Sequence, residues 1–227
     1  MISKIFLKNK IRERDEIFKD LVKGKVAAHF GCIDDDLDLI NEKLRQNKYL
    51  HKIISNSAKQ CYGIDINRKL FKKVEKLGFK NIFFGDIQDS NSYEISPKTL
   101  KKVEIILIPD TIEHLPNPGM AFEGLIKTFR RGSKVLISTP NPFVWAHFFT
   151  TMFRHELFSS HHLCSYSVKN MENLLKIYNI EIQEIHPYWY PKEGNFIKKA
   201  LDIILSKFFT KISPLFSDGF VYECIIN

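Results

Sequence analysis

Arginine, glycine and paired cysteine are all scarce in these 227 residues, and no long apolar run occurs. The four cysteines, Cys32, Cys61, Cys164 and Cys224, stand far apart with no C-x-x-C among them. That excludes the common zinc spacings and the dithiol redox motif, and points to free thiols in a reducing compartment. The ten glycines never form G-x-G-x-x-G after a strand-like segment, which removes the nicotinamide-binding fingerprint. Near the start, Ile5-Phe6-Leu7 is the longest apolar run, far short of a signal-peptide core, and no stretch reaches membrane-spanning length. The expected location is the cytoplasm. Of 34 basic residues only seven are arginine, so a guanidinium-rich nucleic-acid face is absent as well.

What is present describes a globular chain. Hydrophobic residues make up 44% and charged residues 26%, values of an ordinary folded domain. One domain over 1–227 is the natural division. The net charge of +8 is uneven: residues 1–25 carry +4, residues 192–211 carry +3, and the body is nearly neutral. Basic ends on a neutral body make nucleic acid an unlikely partner.

Strand-like and helix-like segments alternate along the chain. Strands are expected at 25–31, 61–66, 81–84, 103–108, 134–139, 180–185 and 220–226. Helices are expected at 9–23, 37–57, 68–77, 118–130 and 167–178, each with apolar residues at helical spacing. This order predicts a doubly wound α/β fold. Its seven-stranded sheet is mainly parallel, with helices on both faces and an antiparallel last strand. A further segment, 195–212 (NFIKKALDIILSKFFTKI), reads as an apolar, lysine-dotted helix inserted at about 191–215. Its apolar side is too wide for a narrow stripe and demands a partner: its own domain, a second copy in a homodimer, or a peripheral membrane surface.

Ligands of open α/β sheets bind beyond the carboxyl ends of the strands. The tips here read His29-Phe30-Gly31-Cys32, Asp65-Ile66, Asp86-Ile87 and Pro109-Asp110. An acid at the second tip can accept hydrogen bonds from both hydroxyls of a ribose, and an acid at the third can take an amino donor of an adenine.

These residues carry a resemblance. GIDI at 63–66, GDI at 85–87, IEHLPNP at 112–118 and RRGSKVLISTPNP at 130–142 resemble, in order and spacing, the class I S-adenosylmethionine-dependent methyltransferases over roughly residues 10–190 and the last strand. The last two segments are similar to its small-molecule and glycan branch. The resemblance implies a Rossmann-like methyltransferase fold and S-adenosylmethionine as cofactor. His29, Phe30, Gly31, Cys32, Asp65, Ile66, Asp86, Ile87 and Pro109 would then contact it. One departure is plain: where the family has a loop of three glycines, this chain keeps Gly31 alone, and Cys32 and Ile33 add bulk.

Asp110-x-x-Glu113-His114, followed later by His162 before Tyr166-Ser167, is similar to an acid-histidine cluster of ubiquinone-pathway and small-RNA terminal methyltransferases. That likeness implies a magnesium site of Asp110, Glu113, His114 and His162. A metal-free version uses His114 or His162 as general base for a hydroxyl. The expected activity is O-methylation of a small molecule or glycan. The alternatives are an RNA 2′-O-methyltransferase and a methyltransferase-fold binding protein without catalysis.

Overall fold

The computed structural model describes residues 7–157, 159–190 and 196–227. In chain order the elements are β1 (Arg12–Glu13), α1 (Arg14–Leu21), β2 (Val26–Phe30), α2 (Leu37–Arg45), α3 (Leu50–Ser57), β3 (Gln60–Asp65), α4 (Phe71–Lys76) and β4 (Ile82–Phe84). Then come α5 (Pro97–Leu100), β5 (Ile105–Pro109), α6 (Pro118–Thr128), β6 (Lys134–Pro140), α7 (Trp145–Met152), α8 (Val168–Ile177), β7 (Ile180–Trp189), α9 (Phe196–Ile212) and β8 (Gly219–Ile226). They build one sheet in the order β1-β7-β8-β6-β5-β2-β3-β4, parallel except that β8 runs against both β6 and β7.

The sheet has eight strands where the sequence predicts seven. The addition is β1, which pairs Arg12 with Tyr188 and Glu13 with Trp189 at the outer edge of β7. Two polar residues carry no alternation to read. The strand exists because β7 runs on to Trp189, past the expected end at Ile185, and offers an open edge.

A second difference lies in 37–57. One helix is expected, but two form, because α2 ends at Gln46 and Asn47 adopts a left-handed φ of 55°. Asparagine tolerates that conformation better than most residues. The break lets Tyr49 turn inward, where it is buried. The expected helix start at Asn195 lies outside the described residues.

Alternation along the central strands sorts the core. In β5 every residue is buried, with Ile106 and Ile108 toward Phe122, Leu125, Met171 and Leu175 of α6 and α8. Ile105 and Leu107 face Ile17, Phe18 and Ile54 of α1 and α3 on the other side. The period of two along a strand is what lets one sheet hold two helical layers. Asp36 and Ser167 cap α2 and α8 by accepting from the N–H groups of Leu39 and Asn170. Among the described residues no helix is long and apolar enough to cross a membrane.

Candidate active site

From β2 the chain winds outward through β3 and β4, and from β5 it winds the other way, so the switch point lies between β2 and β5. There the loops part around a cleft of about 1110 Å³. His29, Gly31 and Cys32 after β2 face Pro109, Asp110 and Thr111 after β5, with the start of α1, the α2–α3 segment and residues 159–162 as walls.

Gly31 is required at its position. Its φ is +66°, and a Cβ there would lie 2.8 Å from Thr111 Oγ1. The Thr111 hydroxyl has no freedom to retreat, because it donates to the Pro109 carbonyl at 2.8 Å. Gly31→Ala is expected to lose about 1–2 kcal/mol of stability from left-handed strain and this contact, measured by urea unfolding.

Cys32 and Ile33 border the cleft, but their side chains are buried. Both side chains pack with Ile40, Tyr49, Leu70 and Val74. The Cys32 thiol uses the space left by Gly63, where a Cβ would meet Sγ at 2.7 Å. Burial pushes that thiol's pKa well up, so it stays neutral. The Tyr49 hydroxyl donates to the Cys32 carbonyl at 2.8 Å and ties the loop to α3.

Of the residues expected to hold the cofactor, His29, Gly31, Cys32 and Pro109 line the cleft. Phe30 and Ile87 instead point into the core, and Ile66 is exposed. The Asp65 carboxylate sits behind the β2 loop, accepting from the N–H groups of Ile33 at 2.8 Å and Asn67 at 2.7 Å. Burial raises its pKa, and those two donors oppose the rise. Each oxygen keeps a second lone pair for a ligand hydroxyl. Asp86 is committed to its own turn, accepting from the Gln88 N–H at 2.9 Å.

Two features of the cleft have no local signature in sequence. His29 Nδ1 lies 3.1 Å from Nδ1 of His51, a residue that sequence reading passed over. Both rings are buried, and burial pushes His51 down to about 4 and His29 well below its ordinary value. Both are therefore neutral at pH 7, and His29 Nε2 has no hydrogen-bond partner.

The second feature is a half-buried polar hub around Asp110. Arg14 and the Tyr190 hydroxyl both donate to its Oδ2. Ser138 donates to Oδ1 at 2.6 Å, and the Tyr188 hydroxyl lies 3.4 Å from the same oxygen. Burial opposes the charge on Asp110, but Arg14 and the hydroxyl donors win, holding its pKa below the usual carboxylate range.

This hub corrects the expected metal set. Glu113, His114 and His162 come together, with ligand atoms within 4.8 Å of one another, while Asp110 is turned to Arg14. Glu113 is buried with neither oxygen at bonding geometry to a donor, although the Thr139 hydroxyl lies beside it. Burial first, and then the charge of Asp110, pushes its pKa up to about 8. With Asp110 taken by Arg14, one carboxyl and two imidazoles remain, fewer oxygen donors than magnesium usually takes. The similar group Glu184, His186 and Glu223 on β7 and β8 is already paired with Lys8 and Lys134.

These shifts predict a stability maximum near pH 6.5. Below it, His29 and His51 stay neutral in the fold while the unfolded chain protonates both. Glu113 acts in the opposite sense, because the unfolded chain releases a proton that the fold keeps up to about pH 8. Two imidazoles against one carboxyl leave stability falling toward acid, and Glu113 alone makes it fall toward alkali. Each slope is on the order of 1 kcal/mol per pH unit. Urea midpoints from pH 5 to 8 check this, and Glu113→Gln should flatten the alkaline side.

The methyltransferase-domain family model matches residues 38–185, well over half of the chain. The chain belongs to that family. It is a class I S-adenosylmethionine-dependent methyltransferase domain. Its fold is similar to a methyltransferase of Archaeoglobus fulgidus, at 14% identity and a TM-score of 0.53, over 93% of this chain and 94% of that one. It is also similar to magnesium protoporphyrin IX methyltransferase of Synechocystis, solved with S-adenosylhomocysteine, at 11% identity and 0.56, over 94% and 83%. A Haloferax volcanii methyltransferase in complex with the activator Trm112 gives 8% and 0.59, over 94% and 93%. No protein of curated function matches the chain.

The cleft of this methyltransferase domain suits a cationic cofactor. Glu13, Asp15, Asp34, Asp35, Glu42 and Asp110 line it against only Arg14, Lys43 and Lys48, although the whole chain is basic. Gly31 lets backbone approach the ligand, and His29 Nε2 is unpartnered at the cleft wall.

Proposed function

We propose that this methyltransferase domain methylates a hydroxyl oxygen of a small molecule or glycan, with His162 as general base. The observation that carries the reading is the imidazole pair on the cleft wall. His114 and His162 meet edge to face with ring centroids 4.9 Å apart. His114 Nδ1 lies 3.0 Å from the His161 carbonyl oxygen, which only a protonated Nδ1 can serve. Partial burial, and then His114, lowers the His162 pKa, so at neutral pH its ring is uncharged and ready to accept a proton.

S-adenosylmethionine, when bound, supplies an electrophilic methyl group on its sulfonium. The chain's task is to bind, orient and hold the proton. Asp65 would take the ribose hydroxyls, and the backbone around Gly31 would border the cofactor. His162 would take the acceptor's proton as the acceptor oxygen is presented in line. The segment carrying His162 is fixed for that purpose, since the N–H groups of Leu163 and Cys164 donate to the Glu113 carbonyl at 2.8 and 3.1 Å.

The test supplies the purified chain with methyl-labelled S-adenosylmethionine and fractionated cell extract. Base-stable label in small molecules or glycans is the expected result. Label in RNA, or on nitrogen or carbon, overturns the reading. Isothermal titration accompanies it: Asp65→Ala should weaken cofactor binding about tenfold or more, with a melting curve to show that the variant still folds. Absence of any cofactor binding by the unaltered chain would leave a methyltransferase-fold binding protein.

A further inference from the structure

Among the described residues, the wide apolar side of α9 is left largely uncovered by its own domain. The helix is held by its opposite side. Phe209 stacks on Trp145 with centroids 5.7 Å apart and meets Phe149 and Phe216 edge to face. Trp145 Nε1 donates to Ser206 Oγ at 3.1 Å. The other side faces outward: Phe196 is 85% exposed, Ile204 64% and Ile212 63%, with Leu201, Ile203 and Phe208 exposed beside them. On a helical wheel Lys207 and Lys211 fall within this outward arc, and both are exposed. The acid of the helix, Asp202, falls on the inner arc and is half-buried. Helix α7, against which α9 is held, ends in exposed Met152 and Phe153.

We propose that the outward face of α9 docks on an anionic lipid bilayer, lying in the interface with its apolar side chains in the acyl boundary and its lysines at the phosphates. The charge pattern selects this occupant. A second copy meeting this same face across a two-fold axis would bury Lys207 and Lys211 without offering either an acid, because the outward arc of α9 carries none. A bilayer takes both features together, because lysine stems lie along apolar surface while the ammonium groups reach the headgroups. The helix lies on the membrane and does not cross it. Tyr190 shortly before α9, and Ser159, His161 and His162 after α7, line the cleft, so the segments flanking these two helices border the site. The proposal rests on the helix itself and stands whether or not the methyl acceptor is a hydroxyl.

Flotation of the full chain with vesicles decides it. The chain should float with phosphatidylcholine vesicles containing phosphatidylglycerol, far less with pure phosphatidylcholine, and less in high salt. Lys207→Glu/Lys211→Glu and, separately, Ile204→Ser/Phe208→Ser should each lower the bound fraction about tenfold or more. Unchanged melting curves would show that the variants fold. A chain that stays unbound with anionic vesicles, or binds neutral ones equally well, overturns the proposal. A dimer in light scattering that Ile204→Ser/Phe208→Ser dissolves also overturns it, in favour of a second copy.

Discussion

Asp110→Ala is expected to cost about 3 kcal/mol of folding stability, the lower end of the range for removing one partner of a buried ion pair. The substitution leaves the Arg14 guanidinium in a site made for an anion, and leaves the hydroxyls of Ser138 and Tyr190 without their acceptor. The lower end is appropriate because the two side chains retain 17% and 23% of their surface. Asp15 compensates in part, since its Oδ1 lies 2.8 Å from the same guanidinium. Urea unfolding gives the measurement. An Arg14→Met/Asp110→Leu double variant should recover much of the loss, because two matched apolar side chains carry no desolvation penalty. A loss below about 1 kcal/mol would show a pair that behaves as if exposed.

His162→Ala is expected to lower the methyl-transfer rate about 10²–10⁴-fold while leaving cofactor affinity within about threefold. A base that acts only as the proton leaves contributes to the transition state and little to binding. The pH dependence separates this role from a structural one. With His162 as base, the rate falls toward acid as the ring protonates. His114→Ala removes one of the influences that lower the His162 pKa, so the acid limb should move to higher pH. A rate that survives His162→Ala, or an acid limb that stays in place in His114→Ala, would assign these histidines to packing. Turnover should also persist in chelator, since the Glu113, His114 and His162 donor set does not suit magnesium.

Features with a local physical cause are legible in the sequence. VEIILI at 103–108 must be buried on both faces, and in β5 every residue is. The apolar spacing of 118–130 makes α6, and Phe122 and Leu125 face the sheet as that spacing requires. Gly31 could be marked at the switch point because a loop there must come close to a ligand. Glu113, His114 and His162 lie together because the first two share one turn and the N–H groups of Leu163 and Cys164 tie the later loop to the Glu113 carbonyl.

Other features were decided by contacts between distant residues, and no local pattern encodes those. His51 meets His29 only because the chain breaks at Asn47 and returns along α3. The partners of Asp110 come from position 14, position 138 and positions 188 and 190, so an acid that looked like a metal ligand became the centre of an ion pair. Strand β1 depends on the free edge that β7 presents. Helix α9 shows the division most clearly. By itself the sequence determines that its apolar side is wide and that lysines dot the helix, because those are matters of helical periodicity and composition. Which arc turns inward is a matter of fit: Phe209 and Ser206 find Trp145, and the broader apolar arc is left outside.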